Sequence, residues 1–281
     1  AHGTLHLVSR TSGDLWHLSY FRKRPGQPWE DPRVIAISPE PGYNLFMQSL
    51  CLGPGGALHL TFQFHYGPDT LSVDQKGRMG VHLRTNDGGD NWFNEGTACD
   101  HLPLTIETAR PFCHHPEGGV RLSNPVIDSM DRPWIFASIP DQKSGRLFRR
   151  DFDDWTHIPI QETLGTLNFT EGHGREVSLS RSRDGHIHLV AATPPDDAPS
   201  KWFDPRHELF HLVLTEDGKT TSVRQITNTD PTTAHWLPAL ENWDWTRCDA
   251  CGTVGPWLMF TKVLNLGGIG GENINTLKTE V

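Results

Sequence analysis

No apolar run in the chain approaches the roughly 18 residues that a membrane-spanning helix requires, and helical periodicity is almost absent. Basic stretches are scarce as well. Lys+Arg 25 against Asp+Glu 34 leaves a net charge of −9, and nothing is denser than Phe21-Arg22-Lys23-Arg24 or Arg149-Arg150, so neither a nucleic acid nor a membrane is an expected partner. The five cysteines are odd in number and follow no regular framework, which excludes a disulfide-stapled small domain. The glycine runs Gly53-Pro-Gly-Gly56 and Gly267-Gly-Ile-Gly-Gly271 lack the strand-to-helix setting that phosphate binding needs. They read as turns, and no nucleotide, NAD or haem signature competes, so no cofactor is required. What the chain does have is turn residues and large aromatics. Gly 27 and Pro 21 supply about 17% of 281 residues, above the ~12% of ordinary proteins, and 10 Trp with 13 Phe are enough for a substantial core.

Short alternating runs flanked by Gly, Asp, Asn and Pro mark half-buried strands joined by tight turns. One phrase recurs, a small turn followed by an aliphatic-His or aliphatic-aromatic strand. It stands at His2-Gly-Thr-Leu-His-Leu-Val-Ser9, Gly55-Gly-Ala-Leu-His-Leu-Thr-Phe62, Ser129-Met-Asp-Arg-Pro-Trp-Ile-Phe-Ala137 and Asp184-Gly-His-Ile-His-Leu-Val-Ala191, with a weaker copy at Gly255-Pro-Trp-Leu-Met-Phe-Thr261. A second strand follows most copies, as in Leu15-Trp-His-Leu-Ser-Tyr20, Met79-Gly-Val-His-Leu-Arg84 and Leu209-Phe-His-Leu-Val-Leu214. The spacing of about 50 to 70 residues suits a four-stranded propeller blade. The fold expected is all-β, a β-propeller of four-stranded blades with five blade-like units visible, compatible with part of a seven-bladed ring. No linker interrupts it, so residues 1–281 read as one propeller domain, expected to be truncated at both ends and to be a monomer. Thr193-Pro-Pro-Asp-Asp-Ala-Pro-Ser200 reads as an inter-strand loop.

Cys248-Asp-Ala-Cys251 has the spacing of a metal knuckle, and Cys113 with His115 could complete a structural zinc site. Unpaired thiols in a loop are the alternative, since one Cys-x-x-Cys is half a site. His6, His59, His82, His188 and His211 fall within strands, where core or polar-face roles are expected.

Thr85-Asn-Asp-Gly-Gly-Asp-Asn-Trp92 matches the Asp-box pattern Ser/Thr-x-Asp-x-Gly-x-x-Trp, and Leu102-Pro-Leu-Thr-Ile-Glu-Thr-Ala-Arg110 and Asn124-Pro-Val-Ile-Asp128 continue the likeness. Together they resemble the BNR-repeat propeller group that includes ulvan lyases, best over residues 45–140. The resemblance gives Asp87 and Trp92 structural roles. It also implies a secreted or periplasmic polysaccharide lyase acting on an anionic, uronate-containing glycan. Such a lyase removes the C5 proton and breaks the C4–O4 bond. That chemistry needs a cation on the uronate carboxylate and Tyr or His as acid and base. By position the resemblance points to Tyr66 as acid/base and Arg84 as carboxylate neutraliser, with the joining loop expected to bring them together. His65 and His17 are the imidazole candidates. Phe169-Thr-Glu-Gly-His-Gly-Arg175 offers Glu171, His173 and Arg175 within five residues, and Trp236, Trp243 and Trp245 could form a sugar-stacking platform. Two other classes stay open: a sialidase-like or rhamnose- or uronate-removing exo-glycosidase, and a glycan-binding propeller without turnover.

Overall fold

A computed structural model describes residues 3–41, 46–68, 70–71, 76–138, 145–159, 177–193, 207–227, 233–242, 255–264 and 278–280. Within them the chain forms five antiparallel sheets and no helix. The first sheet holds β1 (Leu5–Thr11), β2 (His17–Lys23) and β3 (Arg33–Ile37). The second holds β4 (Ser49–Leu52), β5 (Leu58–His65), β6 (Gly77–Thr85), β7 (Phe93–Asn94), β8 (Thr97–Ala98) and β9 (Pro111–His114). The third comprises β10 (Arg121–Leu122), β11 (Val126–Ile127), β12 (Pro133–Ser138), β13 (Gly145–Asp151) and β14 (Asp154–Pro159). In the fourth, β15 (Val177–Arg181), β16 (Ile187–Thr193), β17 (Glu208–Leu214) and β18 (Thr220–Gln225) form a plain meander. The fifth has β19 (Thr233–Leu240), β20 (Leu258–Leu264) and β21 (Lys278–Glu280). Each copy of the repeated phrase coincides with one long strand: β1, β5, β12, β16 and β20.

The sheets pack face to face in chain order. Leu18, Tyr20 and Ile35 of the first meet Leu60, Phe62 and Trp92 of the second. Cys113 meets Leu122, Ile135 and Phe148 between the second and third. Trp134 and Leu147 meet Leu179 and Leu189 between the third and fourth, and Val190 and Leu209 meet Leu240 and Phe260 between the fourth and fifth. Strands sandwiched this way are covered on both faces, which is why β5 and β12 are buried along their whole length. Each fully buried Leu or Phe contributes about 1.5–3 kcal/mol, so these four seams hold the stack together.

Two devices repeat. His59 Nδ1 lies 3.1 Å from His82 Nε2, and His188 Nδ1 lies 2.9 Å from His211 Nε2. Both pairs stack, with ring centroids 5.3 and 5.1 Å apart, and occupy the same diagonal of the hairpins β5–β6 and β16–β17. In the first sheet His6 Nδ1 meets the Tyr20 hydroxyl at 2.6 Å instead. The second device is a Ser/Thr-x-Asp-Gly turn in which the hydroxyl donates to the Asp carboxylate: Thr85 to Asp87, Ser182 to Asp184 and Thr215 to Asp217. The glycine that follows adopts positive φ at Gly88, Gly185 and Gly218, which it does without steric cost.

In the Asp box, Asp87 Oδ1 accepts from Asn91 N at 2.9 Å and Oδ2 from Asn91 Nδ2 at 2.8 Å. Trp92 is buried edge-on against Tyr20, centroids 5.3 Å apart. The box also joins neighbouring sheets. Tyr20 and Arg22 donate to Gly88 O, and Arg33 donates to Gly89 O. A Cβ at Gly89 would lie 2.5 Å from the Tyr20 ring, so the close approach requires glycine there.

Candidate functional site

The hairpin β5–β6 gives the site region two ends. At one, Arg84 and Thr85 lead into the Asp box, which docks on Tyr20 and Arg22. At the other, His65 stands opposite Gly77, and in the first sheet Arg10 and Thr11 point to that same end. A cleft of about 630 Å³ opens there between the sheets. Its polar lining comes from Ser9 and Arg10 of β1, Gln48 and Ser49 at the start of β4, and Ser123 with Asn124 between β10 and β11. Leu122, also in its wall, donates its backbone N–H to Gln63 Oε1 at 3.0 Å, which ties the cleft to the His65 end of β5. The Arg10 guanidinium carbon sits 4.6 Å from the centroid of the Trp16 ring, a stacking that orients the cation. Asn124 is fixed from behind: its side-chain amide donates to Leu179 O at 2.8 Å and accepts from Leu179 N at 3.0 Å. The result is a surface of hydroxyls and amides with one positioned cation. Among the described residues its lining includes no carboxylate, imidazole or phenol.

Tyr66 follows β5 at the cleft end, half-buried and packed against the first core cluster. The Arg78 guanidinium carbon lies 5.2 Å from its ring centroid, and Arg78 Nε donates to Tyr66 O at 2.8 Å. Burial pushes the phenol pKa up, against the opposing pull of Arg78, so at neutral pH Tyr66 carries its proton. Arg84 is elsewhere. It stands opposite His59, seven residues from Tyr66 along the ladder, or about 23 Å at ~3.3 Å per residue. Its Nη2 is ion-paired with Asp131. The expected Tyr66–Arg84 pairing is therefore corrected. The loop after Tyr66 closes at Gly77, and Arg78 is the cation it brings to the phenol. Neither Arg78 nor Arg10 was among the expected site residues. Counting rungs back from the turn would have found Arg78, whereas the place of Arg10 depends on how sheets pack and leaves no local signal.

His65 is buried, with Nε2 3.0 Å from Gln63 Nε2. Because Gln63 Nε2 also donates to Val120 O at 2.7 Å, its second proton goes to His65 Nε2, which acts as acceptor. His17 opens β2 opposite Thr11, half-buried at the Arg10 end, with Nδ1 3.4 Å from Leu15 O. His173, Arg175, Glu171, Trp243, Trp245, Cys248 and Cys251 lie outside the described residues, as does the 194–200 loop. Trp236 falls on β19 opposite Thr261. Cys113 packs with Val120, Leu122 and Ile135, and burial pushes its thiol up to about 12, an environment that keeps a thiol protonated and inert. His115 turns Nδ1 to Gly118 O at 3.1 Å. Among the described residues no three His, Cys, Asp or Glu side chains group to hold a metal ion.

No protein-family model matches the sequence, and no curated protein matches it. Among solved structures the chain is similar to an exo-β-1,3-galactanase from Clostridium thermocellum, at 11% identity over 95% of this chain and 58% of that one, TM-score 0.46. A Hadza microbial sialidase matches at 10% identity over 92% and 51%, TM-score 0.49. A Penicillium chrysogenum α-L-arabinanase complexed with arabinobiose matches at 14% over 84% and 66%, TM-score 0.42. The chain spans less than two thirds of the length of each, and all three are too distant to transfer chemistry.

Proposed function

We propose that the protein is a carbohydrate-active β-propeller that takes an acidic, uronate-containing polysaccharide in the Arg10 cleft and cleaves it by β-elimination. The observation that carries the reading is the cleft itself, where hydroxyls and amides suited to sugar hydroxyls surround a guanidinium oriented on Trp16. Five sheets stacked in chain order, with the same His pair and the same turn repeated, support the propeller. In this reading Arg10 neutralises the uronate carboxylate, which acidifies the C5 proton. A base takes that proton, the electron pair forms the C4–C5 double bond, and the C4–O4 bond breaks. Tyr66, held protonated, is the candidate proton donor to the leaving oxygen and His17 the candidate base; both stand at the same end of the strands, outside the described lining of the cleft. Hydrolysis by a sialidase-like or exo-acting enzyme is the alternative that the same cleft would serve, since the described lining supplies the acid and base of neither reaction. Binding without cleavage is the second reading, favoured by the absence of titratable groups from that same lining.

The test is calorimetric titration of the protein and of Arg10→Gln with ulvan and other uronate polysaccharides, followed by assays for unsaturated uronate and for reducing ends. Binding lost in Arg10→Gln supports the site. Reducing ends without unsaturation would replace elimination by hydrolysis, and equal binding by both proteins would overturn the role of Arg10.

A further inference from the structure

A second cavity, of about 280 Å³, lies at the Asp-box end between the second and third sheets, remote from the Arg10 cleft. Arg84 reaches it from β6 and Arg150 from β13, with His59 and His82 behind and Met130 and Phe152 at the rim. Its cations are unequally used. Arg132 is spent on the protein, donating to Asp128, Asp151 and Glu216 O. Arg84 gives Nη2 to Asp131, yet its buried Nε makes no hydrogen bond within the protein. The buried Nε of Arg150 makes none either and stands 3.5 Å from Glu95 Oε2. Two guanidinium groups from adjacent sheets thus flank one cavity, each with a carboxylate partner, Asp131 for Arg84 and Glu95 for Arg150, and each with a buried Nε that donates to no partner, which is costly.

The described lining sets Arg84, Arg132 and Arg150 against one carboxylate, Asp131. His59 and His82 are buried and stacked. Burial lowers both imidazole pKa values, against the pull of Asp131 on His59 and with the further push of His59 and the arginines on His82. Glu95 is pushed up by burial, against the pull of Trp155 Nε1, 2.8 Å from its Oε2, and of Arg150. Asp131 is positioned from the opposite side, where a Cβ at Gly53 would overlap its Oδ1. The rim is apolar and strained. Phe152 is 92% and Met130 63% exposed, and both Asp131 and Phe152 hold positive φ, 62° and 57°. Side chains other than glycine keep that conformation at a cost, and such strain concentrates at functional sites.

We infer that this cavity binds a small carboxylate carried on a ring, its oxygens bridging Arg84 and Arg150 and its apolar face packed against Phe152. The test is calorimetric titration of the full chain with benzoate, with inorganic sulfate as the anion lacking a ring and benzyl alcohol as the ring lacking a charge. Benzoate is expected to bind more tightly than sulfate, and benzyl alcohol not to bind. Arg84→Gln and Arg150→Gln should each weaken benzoate about tenfold, the effect of losing one charge-assisted contact. Phe152→Ala removes an exposed side chain and leaves the fold intact; it should weaken benzoate severalfold and leave sulfate unchanged. No binding of benzoate to the native protein would overturn the inference. So would benzoate affinity that is unaltered in Arg84→Gln, Arg150→Gln and Phe152→Ala.

Discussion

Mild acid should destabilise the protein well before its carboxylates titrate. The cause is the set of imidazoles built into the hairpins. His6 and His211 are both lowered to about 4, chiefly by burial and, for His211, also by His188 beside it. His59, His82 and His188 are lowered for the same reason. In the unfolded chain each takes up a proton near pH 6.5, whereas in the folded chain all resist protonation to lower pH, His6 and His211 until about pH 4. The unfolded state therefore binds more protons throughout that window. Their stabilising contribution is complete above pH 6.5, declines as the pH falls from 6.5 towards 4, and is flat below. A 2.5-unit gap corresponds to about 3.4 kcal/mol at full strength. Neither His6 nor His211 is fully buried, and screening by solvent reduces this to about 1 kcal/mol apiece. Together they give about 2 kcal/mol, to which the buried His59–His82 pair adds. About three fifths of this, roughly 1.2 kcal/mol, is lost by pH 5, so at about 2–4 °C per kcal/mol for a chain of this size Tm should fall by at least about 2 °C between pH 7 and pH 5. Thermal melts followed by far-ultraviolet circular dichroism across that range would measure it. His211→Gln should flatten part of the slope. A Tm constant from pH 7 to pH 5 would refute the reasoning, because it would mean that the imidazoles titrate alike in both states.

Two tryptophans of similar burial should respond differently to loss of the indole. Trp134 Nε1 donates to the fully buried Asp128 at 3.0 Å, so Trp134→Phe leaves a hydrogen-bond deficit beside a cavity and should cost about 3 kcal/mol in urea unfolding. Trp92 Nε1 makes no hydrogen bond within the protein, and Trp92→Phe should cost only about 1–2 kcal/mol; equal losses would contradict the assignment. Gly89→Ala combines a φ of 95° with a clash on Tyr20, and should destabilise by more than about 2 kcal/mol. Gly55→Ala, where a new Cβ meets nothing, is the comparison, and matching melting curves for the two would refute the close approach.

The strands were legible because period-2 patterning and turn residues act locally. Gly55-Gly-Ala-Leu-His-Leu became the turn into β5, and Thr85 to Trp92 became an Asp-tied turn. The Ser182 and Thr215 turns carry the same Ser/Thr-x-Asp-Gly letters and were readable on the same ground. The site was less legible. Treating the loop after Tyr66 as a bridge to Arg84 overlooked register: in an antiparallel hairpin the rung nearest the turn pairs first, so Arg78 meets Tyr66 and Arg84 sits at the far end. The equal spacing from His59 to His82 and from His188 to His211 is visible in the letters. That the partners stack is a consequence of diagonal cross-strand geometry. Arg10 was hidden for a different reason, since its neighbours Gln48, Ser123 and Asn124 come from other sheets.

The central claim is that the Arg10 end of the molecule holds a uronate glycan while a protonated Tyr66 assists its cleavage. The most direct measurement follows the ultraviolet absorbance of newly formed unsaturated uronate when the protein is mixed with ulvan and a panel of other uronate polysaccharides. Native protein, Tyr66→Phe and Arg10→Gln would be run side by side. A rise is expected with the native protein and is lost in both variants, each retaining its fold by circular dichroism. Full activity in Tyr66→Phe, or no rise with any uronate polysaccharide, would contradict it.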